Sequence, residues 1–154
     1  MNARIGVVFH PDFHPDTLRE TAAAAERAGV AELWLWEDCF LQGGIAAAAV
    51  ALASSETLTV GLGVLPAPLR NVVTTAMEIA TLEAMFPGRI RVGIGHGVQD
   101  WMRQAGAAVA SPLTLMREYV TALSDLLSHV SALDGDRPCR QQIAQCCDVL
   151  AHQR

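Results

Sequence analysis

Leu58-Thr59-Val60-Gly61-Leu62-Gly63-Val64 is a short, almost unbroken apolar run with two glycines inside it and Pro66 and Pro68 just beyond. A run this short and apolar reads as a parallel-sheet strand buried on both faces. Glycines within it mark a bulge or the close approach of other atoms. Upstream, Gly43-Gly44 opens an alanine-rich helix to about Ala53, and before it Leu33-Trp34-Leu35-Trp36 is a second continuous strand that meets Glu37-Asp38 abruptly. Further back, Ile5 to Phe9 reads as a strand buried on both faces. Thr17 and Glu20 at capping-box spacing start a helix that ends at Ala28 before Gly29. Downstream, Asn71 caps a helix with Val72, Ala76, Ile79, Ala80 and Leu82 on one face, stopped at Phe86-Pro87-Gly88. Ile90 to Ile94 is a fourth strand, and Ser111-Pro112 starts a helix with Leu113, Met116, Val120, Leu123 and Leu127 along one side.

Four successive βα units require a parallel sheet with helical crossovers, either open and doubly wound or part of a closed barrel. An eight-unit barrel takes about 250 residues, and four units use roughly half of that. The chain of 154 residues is 51% hydrophobic and 18% charged, which excludes a disordered polar chain and sets one ordinary domain as the ceiling. Sixteen acids oppose eleven basic residues, all arginine, so no basic stripe is available for nucleic acid. The most apolar stretch, Ile45 to Ala53, is too short to span a bilayer, which takes about 20 such residues. The chain opens directly on Arg4-Ile5-Gly6 without a charged leader, and its four cysteines form no disulfide framework, so a cytoplasmic location is expected. From Ser128 onward the period is lost, Asp134 to Pro138 reads as a linker and Gln141 to Leu150 as a weak helix.

Ligands of parallel α/β folds gather where the strands end. Those ends carry His10, with His14 beyond it, then Glu37 and Asp38, then Gly63, Val64 and Leu65, then Gly95, His96 and Gly97. Two histidines, two carboxylates and glycine-flanked backbone would share one rim. Gly93-x-Gly95-x-Gly97 lacks the spacing of a dinucleotide fingerprint. Trp34, Trp36 and Trp101 read as packing residues, and the cysteines near the end, Cys139, Cys146 and Cys147, lack the spacing of a zinc site.

The ordered run of Glu32-Leu33-Trp34-Leu35-Trp36-Glu37-Asp38, Val60-Gly61-Leu62-Gly63-Val64-Leu65-Pro66, Arg70-Asn71, Ala80-Thr81-Leu82-Glu83, Phe86-Pro87-Gly88-Arg89 and Val92-Gly93-Ile94-Gly95-His96-Gly97 resembles the luciferase-like monooxygenases, in particular the branch that uses the deazaflavin coenzyme F420. Val72 stands where that family usually has proline. The resemblance covers about Arg4 to Leu127. It implies the first four βα units of a TIM-type (β/α)8 barrel over residues 1–127, with 128–154 a divergent tail, disordered or read from a shifted frame.

The resemblance further implies an oxidoreductase that binds coenzyme F420, or FMN instead, in the barrel mouth and acts on a small molecule by hydride transfer or oxygen activation. Asp38 would lie beside the cofactor ring. A bulge with a non-proline cis peptide would fall at Gly63-Val64, with Gly95 and Gly97 also at the cofactor, and His10 and His96 would exchange protons at the rim. Open sheet edges favour a homo-oligomer, with no nucleic acid, membrane or metal partner. Two further readings stand beside this one: a self-associating fragment without catalysis, and a metal-dependent hydrolase using His10, Asp38 and His96.

Overall fold

The computed structural model describes residues 5–133; the cysteine-rich segment of the sequence reading, the Asp134–Pro138 linker and the weak helix lie outside them. Four parallel strands, β1 (Gly6–Val8), β2 (Glu32–Leu35), β3 (Thr59–Pro66) and β4 (Ile90–Gly95), form one sheet in chain order. The crossovers are α1 (Leu18–Arg27), α2 (Gly44–Ala53) and α3 (Val72–Met85), and after β4 come α4 (Gln99–Gln104) and α5 (Pro112–Leu133). This is the expected α/β succession of four βα units.

Helix boundaries follow from local chemistry. Asn71 Oδ1 accepts from the N–H groups of Val73 and Thr74, capping α3 as expected. Gly29 and Gly88 take positive φ, +75° and +74°, where a residue with a Cβ is strained, and so end α1 and α3. The capping box at Thr17 does not form. A 3-10 turn over Pro15–Thr17 leads into α1, Thr17 is itself helical in φ and ψ, and its hydroxyl donates back to the His14 carbonyl instead. Helix α5 runs six residues past Leu127, and α4 occupies a stretch in which the sequence offered no helical period.

The register sorts the sheet into two faces. Val7, Leu33, Val60 and Ile90 are aligned, as are Leu35, Leu62 and Val92, and these point to the helices. There they pack with Leu52, Ile79, Leu82, Leu123 and Leu127, all at most 5% exposed, each worth about 1.5–3 kcal/mol of burial. Tyr119 ties α5 to α3 by donating its hydroxyl hydrogen to Thr75 Oγ1 at 2.7 Å inside this core. At the base of the sheet, Arg89 donates to the carbonyls of Leu58 and Leu52 and to Ser55 Oγ, while Glu26 accepts the N–H groups of Glu56, Thr57 and Leu58.

The opposite face carries Val8, Trp34, Gly61 and Arg91. Trp34 lies flat across its neighbours: a Cβ on Gly61 would sit 2.6 Å from Trp34 Cδ2, and one on Gly6 3.1 Å from Cδ1. The glycine inside β3 is thus required by an indole of the same chain. Trp34 Nε1 donates to Glu32, whose other oxygen is 3.7 Å from Arg91 Nε.

Strand β1 departs from the expectation of burial on both faces. Val8 is 57% exposed because it lies on the face away from the helices in the first strand of the described sheet, and Ile5, 73% exposed, precedes that strand. No helix among the described residues is long and apolar enough to cross a membrane.

Candidate functional site

The β3–β4 register slips between Leu62 and Leu65, so β3 bulges at Gly63-Val64, and the peptide joining those two residues is cis. The bulge lays Val64 across β4: a Cβ on Gly93 would meet Val64 Cγ1 at 3.1 Å, and one on Gly95 would meet Cγ2 at 2.5 Å. Glycine at both positions therefore makes room for Val64. The Val64 carbonyl accepts the Glu37 N–H at 3.3 Å, tying the bulge to the end of β2.

Above this floor is a cleft of about 560 Å³, bordered by the ends of β2, β3 and β4, by α4 and by the start of α5. Asp38, Gly63, Val64, Gly95, His96 and Gly97 all line it, so six of the seven sequence-predicted site residues come together. His10 does not. Its ring packs edge-on against Trp36, centroids 4.6 Å apart, and its Nδ1 pairs with Asp12; Trp36 rather than His10 borders the cleft. His14 is likewise exposed and paired with Asp16.

His96 Nδ1 donates to the Gly97 carbonyl at 2.7 Å, which leaves Nε2 as the lone-pair nitrogen of the neutral ring. Gln99 donates to the carbonyls of both His96 and Gly97, fixing the loop. Gly97 has φ +71° and stands against Met102, so its backbone conformation and its neighbour both call for glycine. The Asp38 carboxylate has no hydrogen-bond or ion-pair partner among the described residues. Beside it the Cys39 thiol is held above its ordinary pKa by burial, then by the charges of Asp38 and Glu37.

Glu37 has a different task from Asp38. Its carboxylate, 10% exposed, accepts from Arg70 Nε at 2.9 Å, pairs with Arg70 Nη2, and accepts the Gly44 N–H at 2.7 Å at the start of α2. Arg70 also pairs with Glu78, and the Glu37 hydrogen bond first, then the charges of Glu37 and Glu78, hold the guanidinium above its ordinary pKa despite burial. The sequence showed the acidic pair and Arg70 but not their pairing, since 33 residues separate them.

The remaining lining was missed in the sequence. Trp36 and Trp101 border the cleft instead of packing in the core, joined by Val98, Met102, Leu113 and Met116. Among the described residues no group of three or more His, Cys, Asp or Glu side chains is placed to hold a metal ion, so the ligand set of the hydrolase reading does not assemble.

Comparison with known proteins places this arrangement. A methylenetetrahydromethanopterin reductase of Methanolobus tindarius is 26% identical over 132 residues, 85% of this chain and 40% of that protein. Among solved structures, the coenzyme F420 dependent tetrahydromethanopterin reductase of Methanopyrus kandleri superposes with a TM-score of 0.71 at 20% identity, over 81% of this chain and 40% of the other. The FMN-bound oxygenating constituent of 3,6-diketocamphane monooxygenase from Pseudomonas putida gives 0.73 at 18% identity, over 80% and 39%. The chain thus spans about 40% of the length of these relatives. The luciferase-like monooxygenase family matches residues 3–145, and with its parallel βα units and the bulged third strand under the cleft, the chain belongs to that family.

Proposed function

We propose that the cleft receives the ring of coenzyme F420, with FMN as the alternative, and that the chain serves a flavin- or deazaflavin-dependent oxidoreductase acting on a small molecule. The observation that carries this reading is the bulged floor at Gly63-Val64 with, at its rim, the Asp38 carboxylate, which has no partner among the described residues. A cleft of this size lies within the range of cofactor pockets, about 300–1,000 Å³. Its apolar floor suits a planar ring, and Asp38 suits a ring N–H donor. No Lys or Arg lines it among the described residues, so these residues fit the ring and offer no partner for a phosphate. Relatives with both cofactors share the fold: one solved structure is an F420-dependent secondary alcohol dehydrogenase and another an FMN-bound monooxygenase.

When bound, the group supplies hydride transfer or, as FMN, oxygen activation. The chain supplies the surroundings. Val64 and Asp38 would hold the ring, the one by apolar contact and the other as a hydrogen-bond acceptor, while Glu37, pinned by Arg70, ties the end of β2 to the bulge through its N–H on the Val64 carbonyl. His96, with Nε2 free to accept or deliver a proton at the rim, is the acid–base group, and His10 buttresses Trp36 from behind.

The test is a fluorescence titration of the 154-residue chain with F420 and, separately, FMN. Asp38→Ala is expected to weaken binding by about tenfold or more, the value of one hydrogen bond to a charged group. Unchanged affinity removes Asp38 from the ring. Absence of saturable binding of either cofactor to the wild-type chain leaves the non-catalytic fragment as the reading.

A further inference from the structure

We infer that the half of the cleft walled by α4 and α5 is a subsite for an uncharged, largely apolar substrate, and that it discriminates against carboxylates and phosphate esters. The inference rests on the cofactor reading and names the substrate class for the same site.

The cleft has two unlike sides. The polar groups gather at the ends of β2 and β4, where Asp38 and His96 stand. The other side is built by Val98, Trp101, Met102, Leu113 and Met116, with Val98 49% and Leu113 65% exposed, and the one amide on that side, Gln99 at the head of α4, is spent on the carbonyls of His96 and Gly97. An anionic substrate would need a cation there, and among the described residues none lines the cleft. The guanidinium groups on neighbouring elements are committed elsewhere: Arg70 to Glu37 and Glu78, Arg103 to Asp100. Arg117 of α5 lies outside the lining. A carboxylate entering this space would lose hydration against an apolar wall and face the negative charge of Asp38. A ketone, alcohol or alkene carries no such penalty, and its one polar atom can meet His96 at the rim.

The experiment pairs two probes of like shape, 2-acetylnaphthalene and 2-naphthoate, titrated calorimetrically into the 154-residue chain alone and then with saturating F420 or FMN. The ketone is expected to bind saturably and the carboxylate about tenfold more weakly or worse. Asp38→Asn should narrow that gap. Leu113→Arg, at an exposed position on α5 where folding is not at stake, should restore naphthoate binding and so locate the probe in this cleft. Equal or tighter binding of naphthoate to the wild-type chain overturns the inference, as does failure of the ketone to bind. Displacement of the ketone by the cofactor would assign the apolar wall to the ring and also overturn it. Failure of the cofactor reading is seen separately, in the cofactor titration itself.

Discussion

Gly61→Ala is a one-methyl change whose cost follows from the sheet's inner face. The new Cβ would stand 2.6 Å from Trp34 Cδ2 and 2.7 Å from Cζ3, separations that real Cβ atoms do not show. The indole is rigid and lies flat over Gly61 and Gly6, so it must lift as a body, and the shift pulls Nε1 from Glu32, now 3.1 Å away. Overpacking of this kind costs about 1–3 kcal/mol and the lost hydrogen bond about 1 kcal/mol. Alanine in place of glycine returns about 0.5–1 kcal/mol of chain entropy. The net expectation is a loss of about 2 kcal/mol, a fall of roughly 1 M in the urea midpoint. Urea unfolding followed by far-UV circular dichroism, which does not depend on Trp34, measures it. The decisive comparison is the same substitution in a Trp34→Leu background, where its cost should fall below about 0.5 kcal/mol because the ring it strikes is gone. An equal cost in both backgrounds would refute the claim that Trp34 is what demands glycine in β3.

Arg70→Met removes the partner of a largely buried carboxylate and should destabilise the chain by about 3 kcal/mol, the low end for broken buried pairs because Arg70 keeps some solvent contact. Denaturant titration reads this loss, and the same variant should bind F420 or FMN more weakly, since the support under Asp38 goes with it. Glu26 supplies a pH dependence: its carboxyl is held at about 2 by the backbone N–H of Thr57 first and of Glu56 next, against an ordinary value of 4.5. Folding thus lowers this pKa, so the contribution is complete above pH 4.5 and is lost as the pH falls toward 2. The wild-type midpoint should fall more steeply than that of Glu26→Gln between pH 5.5 and 3, and parallel curves would remove Glu26 from the account.

Regular alternation made most of the scaffold readable. Short apolar runs at Leu33, Leu58 and Ile90, separated by amphipathic stretches with clear stops at Gly29 and Gly88, leave few arrangements other than parallel βα units. The cis bond at Gly63-Val64 came from family resemblance, since nothing in local spacing specifies it. What stayed hidden depends on the third dimension. Arg70 and Glu37 meet only after β2 and β3 align, and Trp101 lies in a six-residue helix too short to show a period. Ile5 and Val8 are as apolar as any buried strand, but Ile5 falls just before β1 and Val8 on the face away from the helices, which only the fold decides. The Thr17–Glu20 spacing misled because Pro15 starts a tight turn before the cap can form.

Sheet order in this chain equals chain order, each strand pairing with the one made just before it. Among the described strands, a ribosome would therefore release each of β2, β3 and β4 beside the partner already made. The floor of the cleft is complete once β4 emerges, whereas its outer wall waits for Leu113 and Met116 on α5. During synthesis the apolar hollow is exposed for the time taken to add roughly twenty residues, a second or more at about 5–20 residues per second. That interval is the stage at which chaperones would meet this nascent chain.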